Sequence, residues 1–204
     1  HSTSGAELTI GFTVTGLAAR AITKGGGRVG DALILTKPLG SGVIMAAEMA
    51  MTRVQGMVLG QVVAECLMQM CRAQGNAAAI LSGAQAMTDV TGFGLGGHLL
   101  EMLAAANLSA ELTEIPSMTG AMELVAAGIG SSLLPANLAA TEGRIVGASP
   151  AQLAILNDPQ TAGGLLAAVP RNQAEDLVAR LRAGGDDAAI IGHLRAGAPI
   201  ITVA

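Results

Sequence analysis

Residues 87–98 read MTDVTGFGLGGH and place one carboxylate, Asp89, at the start of a glycine-rich turn that leads into an apolar helix. Four glycines within six residues allow the backbone to approach a bulky anion, and the N–H groups at the start of a helix point toward negative charge. Asp89 would then supply oxygen to Mg²⁺, which usually takes one or two protein carboxylates and completes its shell with water and substrate phosphate. The spacing is equally compatible with an aspartate that merely caps the helix.

The glycine-rich turn is the second of three motifs that occur in order along the chain. The first is Gly30-Asp31 followed by LTKPLGSG at 35–42, and the third is DPQTAGGLL at 158–166. Together they resemble the selenide, water dikinase (selenophosphate synthetase) family, whose fold is shared by aminoimidazole ribonucleotide synthetase, thiamine-monophosphate kinase and the hydrogenase maturation dehydratase. The resemblance covers nearly the whole chain and implies an α/β (α+β) fold in which helices flank a mixed β-sheet.

The resemblance also implies a reaction and a division of labour between two halves of an enzyme. The family converts ATP, selenide and water to selenophosphate, AMP and phosphate with Mg²⁺, often with a monovalent cation such as K⁺. Its catalytic Cys or selenocysteine, the partner Lys and most nucleotide contacts belong to an N-terminal half that we expect to lie outside this chain. We therefore expect residues 1–204 to be a single C-terminal domain, with 1–16 ending the inter-domain segment, and to be inactive alone.

Site residues carry over from the family by their positions in the three motifs and at the start of the chain. Asp89 matches the metal-binding aspartate, and no catalytic residue is assigned in this chain. The residues expected to contact nucleotide or phosphate are His1, Ser2, Thr3, Lys37, Thr88, Thr91 and Gly92. Alternatives remain for several of them, because Thr88 and Thr91 could simply satisfy the turn and Lys37 could be solvated.

The motifs contain three further polar residues. His98 directly follows the last glycine and lies about one turn into the predicted helix, where a packing or capping histidine is favoured over an acid or base. Asp158 and Gln160 precede a second glycine pair. Asp158 is expected to hold that turn by accepting bonds from neighbouring N–H groups, with a position facing the cleft as the alternative.

The composition agrees with a single compact module, although it is rich in hydrophobic residues for a soluble domain, and it disfavours a nucleic-acid partner. Hydrophobic residues make up 51% of the chain and charged residues 13%, with two Phe and no Trp or Tyr, so aromatic platforms for bases are missing. A net charge of −4 also argues against phosphate-backbone binding, and no apolar run is long enough to predict a membrane span. We expect a cytoplasmic protein, a homodimer at full length, with Cys66 and Cys71 as buried, reduced thiols.

Apolar periodicity predicts strands alternating with helices, as in an α/β layer fold. Strands are predicted at 8–16 (continuing through 17–19), 32–36, 86–89, 108–112, 164–169, 188–193 and 199–203. Helices are predicted at 43–51, 60–74, 77–83, 97–106, 119–127 and 173–183, with a short helix or turn at 151–156. Residues 128–150 contain dispersed Gly, Ser, Pro and Asn and predict an irregular segment, which could cover the active site or be a plain surface connection.

Two other functions remain open. The chain could belong to another ATP-using member of the superfamily, of the thiamine-monophosphate kinase or hydrogenase maturation type. It could also be a non-catalytic binding or assembly module on a larger redox protein. Separately, residues 128–137 resemble versions of the synthetase that are fused behind a flavin- and pyridine-nucleotide-dependent oxidoreductase.

Overall fold

A computed structural model describes residues 13, 15–18 and 20–204 of the chain. The predicted phosphate contacts His1, Ser2 and Thr3 lie outside the described residues, as does most of the strand predicted at 8–16. The first regular element within them begins at Ala32.

The described residues form one mixed sheet of seven strands in the order β2-β5-β1-β6-β3-β7-β4. Neighbours from β2 to β3 in this order pair antiparallel, whereas β7 pairs parallel with both β3 and β4. The strands are β1 (Ala32–Leu35), β2 (Ala86–Asp89), β3 (Leu108–Leu112), β4 (Ile145–Val146), β5 (Leu165–Val169), β6 (Ala189–Ala196) and β7 (Ile201–Val203). The predicted mixed sheet is confirmed.

Helices cover both faces of the sheet, so that three layers enclose two hydrophobic cores. Alternation along β1 supplies both cores, because Leu33 and Leu35 join one cluster while Ala32 and Ile34 join the other. The helices are α1 (Ser41–Met49), α2 (Leu59–Cys71), α3 (Gly75–Ile80), α4 (Gly94–Ala106), α5 (Ala121–Ala126), α6 (Leu134–Thr141), α7 (Pro150–Leu156) and α8 (Ala174–Ala183), with a 3₁₀ turn at Arg171–Gln173. Helices α3 and α8 cover one face, and α1, α2, α4, α5 and α7 contribute to the core on the other.

The strand pairing brings the three sequence motifs together at the same end of three neighbouring strands, β2, β5 and β1. Asp89 at the end of β2 pairs with Leu165, and Leu35 at the end of β1 pairs with Leu166. The end of β1, the end of β2 and the start of β5 therefore lie side by side. The segments 36–42, 90–94 and 158–164 continue from these three strand ends.

The sequence-based prediction for residues 128–150 is wrong, since the segment contains α6 and β4. Helix α6 turns Asn137 and Thr141 toward the protein interior, and both are buried. A helix whose buried side is polar has no apolar stripe, which is the signal that identifies helices in a sequence. The strand predicted at 188–193 is also longer than predicted, because β6 continues to Ala196 and remains paired with β3.

Among the described residues, no helix combines the length and apolar character needed to cross a bilayer.

The buried side of α4 should dominate the stability of the larger core. Leu103 is 0% exposed, so Leu103→Ala should lower the free energy of unfolding by about 2–5 kcal/mol through lost burial and a residual cavity. Leu133, which is 52% exposed, provides the matched control. Leu133→Ala should change the free energy of unfolding by less than about 1 kcal/mol. Urea denaturation measures both, and equal losses would contradict this assignment of the core.

Candidate functional site

Asp89 is presented to solvent by the alternation of β2 and by a tight turn that follows it. Thr88 and Val90 are buried on either side of the exposed Asp89. The Val90 N–H donates to the Gly164 carbonyl at 2.8 Å, and the Gly94 N–H donates to the Thr91 carbonyl at 3.0 Å. These bonds attach the turn to the start of β5 and close it at the first residue of α4.

The Asp89 carboxylate does not cap α4. The helix N-cap is Phe93, and no side chain of the described residues bonds to this end of the helix. The Asp89 carboxylate also makes no hydrogen bond or ion pair within the described part of the chain. The capping alternative is therefore wrong, and the carboxylate is available to a ligand.

The turn also offers backbone donors beside that carboxylate. The N–H groups of Thr91, Gly92 and Phe93 donate to no acceptor among the described residues. Their neighbour Gly94 has a φ of +69°, and a Cβ there would lie 2.7 Å from the Leu156 carbonyl oxygen, so only glycine fits. Consecutive unpaired N–H groups in a glycine-rich turn can donate hydrogen bonds to a bound anion.

Gln160 joins the first and third motifs by capping α1 from a distance. Its Oε1 accepts bonds from the Gly40 N–H at 3.0 Å and from the Ser41 N–H and hydroxyl, both at 3.2 Å. The Gln160 N–H in turn donates to the Thr91 carbonyl at 2.9 Å, which connects the same loop to the Asp89 turn. All three motifs therefore meet at this residue.

Asp158 completes the cap of α1. Its Oδ2 accepts bonds from the Gly42 N–H and from the Gln160 amide, both at 3.0 Å, and the side chain is 1% exposed. The predicted structural role fits, although the N–H group that it binds belongs to α1 rather than to its own turn. Burial raises the pKa of Asp158 to about 6, because the loss of water outweighs the hydrogen bonds from Val43, Gln160 and Gly42 that favour the anion.

Lys37 ties the same loop to the end of α2. The side chain is 2% exposed, and Nζ donates to the carbonyls of Arg72 at 2.9 Å and Ala162 at 3.0 Å. Burial lowers the pKa of Lys37, while the charge of Asp186 opposes that shift. The alternative of a solvated lysine is wrong, and contact between Lys37 and an anionic substrate stays a prediction.

The carbonyl that Lys37 binds belongs to a strained residue. Ala162 has a φ of +49°, a left-handed conformation that costs an alanine roughly 1–2 kcal/mol. The next residue, Gly163, passes so close to the Asp89 turn that a Cβ would lie 2.1 Å from the Val90 carbonyl oxygen. Lys37 thus helps to hold a strained loop directly against the turn.

His98, on α4, contacts the turn through Thr91. The ring is 5% exposed, and Nε2 lies 3.2 Å from the Thr91 hydroxyl oxygen, while Nδ1 lies 3.5 Å from a Glu101 carboxylate oxygen. Burial lowers the pKa of His98, and the charge of Glu101 opposes that shift. This geometry fits the favoured packing role, and it also gives the Thr91 hydroxyl a partner inside the turn.

Sequence reasoning missed a buried polar network that reaches the turn from α6. The Asn137 amide nitrogen donates to the carbonyls of Gly92 and Asn157, both at 2.9 Å. The Thr141 hydroxyl donates to the Asn157 side-chain oxygen at 2.9 Å. The one local signal nearby was the capping box of Ser149 and Gln152, which marks the start of α7 but not the network itself.

The described residues fit a hard cation only as a shared ligand set. They contain no group of three or more His, Cys, Asp or Glu side chains that could hold a metal ion. Asp89 supplies a free carboxylate, which is an oxygen donor that Mg²⁺ accepts. A magnesium ion here would need its remaining ligands from phosphate oxygens, water or another part of the protein.

The two cysteines differ in their surroundings. Among the described residues neither forms a disulfide, Cys66 is buried, and burial raises its pKa to about 11. Cys71 is exposed, so the prediction that both thiols are buried is wrong for this residue. The five-residue spacing turns the two thiols in different directions from α2.

Comparisons with known proteins identify the family of this chain. Residues 28–203 match the family model "AIR synthase related protein, C-terminal domain". The selenide, water dikinase of Myxococcus xanthus is 37% identical over 214 residues, which cover 100% of this chain and 59% of that protein. The chain thus spans about three fifths of the length of the curated relatives that it matches.

Solved structures show the same fold at lower identity. Thiamine-monophosphate kinase from Stenotrophomonas maltophilia aligns with a TM-score of 0.63 at 16% identity, over 91% of this chain and 53% of that one. The hydrogenase maturation protein HypE in complex with ATP aligns with a TM-score of 0.57 at 18% identity, over 92% of this chain and 51% of that one.

The buried Asp158 should make stability depend on pH. Because the pKa of about 6 in the folded state exceeds the ordinary 3.8, the folded protein binds more protons between these values, and its stability falls as pH rises through them. Between pH 7 and pH 5 the free energy of unfolding should rise by roughly 1 kcal/mol relative to Asp158→Asn. Urea denaturation of both proteins at both pH values measures this, and parallel pH dependence would contradict it.

Proposed function

This chain belongs to the family of AIR synthase related proteins as their C-terminal domain, and we propose that it forms one wall of the ATP and Mg²⁺ cleft of a selenide, water dikinase. The whole enzyme would convert ATP, selenide and water to selenophosphate, AMP and phosphate. The observation that carries the proposal is the exposed Asp89 carboxylate, which has no partner among the described residues and is followed by the free N–H groups of Thr91, Gly92 and Phe93.

The charges of the reactants explain why such a site is needed. ATP brings several negative oxygens into one cleft, and a bound Mg²⁺ would reduce their mutual repulsion and stabilise the charge that develops during transfer. Asp89 would contribute one oxygen to the ion. The free N–H groups of the turn would donate to phosphate oxygens, and because the turn is already fixed, little reorganisation is needed when substrate binds.

The remaining parts of the reaction would belong to the rest of the enzyme. We propose that an N-terminal half carries the reactive Cys or selenocysteine, handles selenide and makes most nucleotide contacts. His1, Ser2 and Thr3 are proposed phosphate contacts, as are Lys37, Thr88, Thr91 and Gly92. We also propose a K⁺ requirement, homodimerisation and a cytoplasmic location. The cytoplasmic location is consistent with the two free thiols, which are typical of a reducing compartment.

Two solved structures with the same fold provide the alternative ATP-dependent functions for comparison. One solved structural neighbour is a thiamine-monophosphate kinase and another is HypE in complex with ATP. The 37% identity to selenide, water dikinases favours selenide as the substrate of this chain's enzyme. Assays of ATP turnover by the full-length protein with selenide and with thiamine monophosphate would discriminate between these two functions.

The 204-residue chain alone should not turn over ATP, because Asp89 supplies only part of a metal site. Release of AMP and phosphate in the presence of selenide and Mg²⁺ measures this. The full-length protein, prepared in parallel, is the positive control. Turnover by the isolated chain at the rate of the full-length protein would overturn the idea of a shared cleft.

Asp89→Asn in the full-length protein should abolish selenophosphate formation, because the neutral amide is a poor ligand for Mg²⁺. Removal of an electrostatic contact of this kind costs roughly 100- to 1,000-fold in kcat. The melting temperature should stay at the wild-type value, because the carboxylate has no partner in the described structure. Asp176→Asn, which changes an exposed acid on α8, is the matched control. Full activity of Asp89→Asn would remove this residue from the mechanism.

A further inference from the structure

Asn137 uses both hydrogens of its side-chain amide within the protein. The residue lies on α6, is 7% exposed, and donates to the Gly92 carbonyl in the Asp89 turn and to the Asn157 carbonyl at the end of α7, both at 2.9 Å. An amide can satisfy two carbonyl oxygens at once without carrying a charge, whereas a carboxylate has no donor and a hydroxyl has only one.

The bond to Gly92 also fixes the direction of a neighbouring donor. In a planar trans peptide the carbonyl oxygen and the following N–H point in opposite directions. The described residues contain no cis peptide bond. Because Asn137 holds the Gly92 oxygen toward α6, the N–H of Phe93 points away from α6. That N–H is one of the three in the turn without an acceptor among the described residues.

Hydrogen bonds and close packing surround the partners of Asn137. Thr141 follows it by one turn on the same side of α6, and its hydroxyl bonds the Asn157 side chain at 2.9 Å. The Asn157 amide donates to the Leu153 carbonyl at 2.9 Å, within α7. Gly94, the first residue of α4, packs directly on the backbone at Asn157, where a Cβ would lie 2.9 Å from the Asn157 Cα. The Asn157 backbone that accepts from Asn137 therefore lies against Gly94 at the end of α7, whereas the Thr141 bond reaches only the Asn157 side chain.

We propose that Asn137 is a positioning residue, which orients the Gly92 peptide so that the Phe93 N–H faces the phosphate groups of ATP. This inference rests on the proposed function and adds to it a role for α6. Asn137 itself is turned inward and touches no substrate. It acts through the peptide that it holds, while Asp89 and the turn N–H groups make the contacts.

The test compares Asn137→Ala and Asn137→Asp with Thr141→Val in the full-length protein that contains this chain. Thr141→Val is the matched control, because it removes a buried hydrogen bond of the same network without touching Gly92. If Asn137→Asp does not fold, Asn137→Ala carries the comparison alone. Melting temperatures should fall for all the variants, since each loses a buried bond.

Two readouts separate positioning from stability. The Gly94 amide is bonded to Thr91 and reports whether the turn is closed, so its hydrogen exchange should accelerate in the Asn137 variants and stay at the wild-type rate in Thr141→Val. The kcat for selenide-dependent ATP turnover should fall roughly 10- to 100-fold in the Asn137 variants, with KM for ATP little changed, and stay at the wild-type value in Thr141→Val.

Each outcome bears on a different claim. Wild-type exchange at Gly94 in the Asn137 variants would overturn the positioning role, and so would accelerated exchange with unchanged kcat. Equal losses of kcat in the Asn137 and Thr141 variants would show that the network only stabilises the fold, and they would also overturn the positioning role. A wild-type protein without selenide-dependent turnover would refute the proposed function. Gly94 exchange would then still show whether Asn137 holds the turn.

Discussion

The N-terminus of α1 needs acceptors for its first N–H groups, and it finds them on a loop that lies 120 residues further along the chain. Each buried N–H left without an acceptor would cost about 1–3 kcal/mol, so the loop is strongly held in place. Gln160 and Asp158 provide the acceptors, and the Gln160 backbone binds Thr91. The shape of the Asp89 turn therefore depends on the capping of a different helix.

This arrangement leaves the chemical groups of the turn free because other residues do the structural work. Gln160 and Asp158 cap α1, Lys37 holds the strained loop at Ala162, and His98 bonds the Thr91 hydroxyl. All four of these side chains are buried, whereas Asp89 is exposed. A fixed backbone with an unpaired carboxylate and unpaired N–H groups is preorganised for a metal-bound anion. Lys37, which the sequence motifs mark for phosphate contact, thus also supports the site from inside the fold.

Local patterns predicted the elements whose periodicity reflects burial. The alternation at 86–89 and 108–112 and the apolar run at 32–36 identified strands that the structure contains, because their side chains face one or two cores. Helix α6 was not predicted because its buried side is polar. The long-range bonds of Gln160 could not be predicted because no local pattern encodes a partner 120 residues away. Lys37 shows the same limit, since its two carbonyl partners are close only in the folded chain. At Asp89 the neighbouring glycines predicted a turn, whereas the exposure of the carboxylate, which excludes capping, is visible only in the folded chain.

The most direct measurement is the position of a divalent ion relative to residue 89. Mn²⁺ can replace Mg²⁺ in the full-length protein with a non-hydrolysable ATP analogue, and its unpaired electrons broaden the NMR signals of nearby amides. We predict the strongest broadening at the amides that follow Asp89, from Val90 to Phe93, and its loss when Asp89 is replaced by Asn. Broadening centred instead on the acidic pair Asp186 and Asp187, or unaffected by the substitution, would contradict a metal-binding role for the turn.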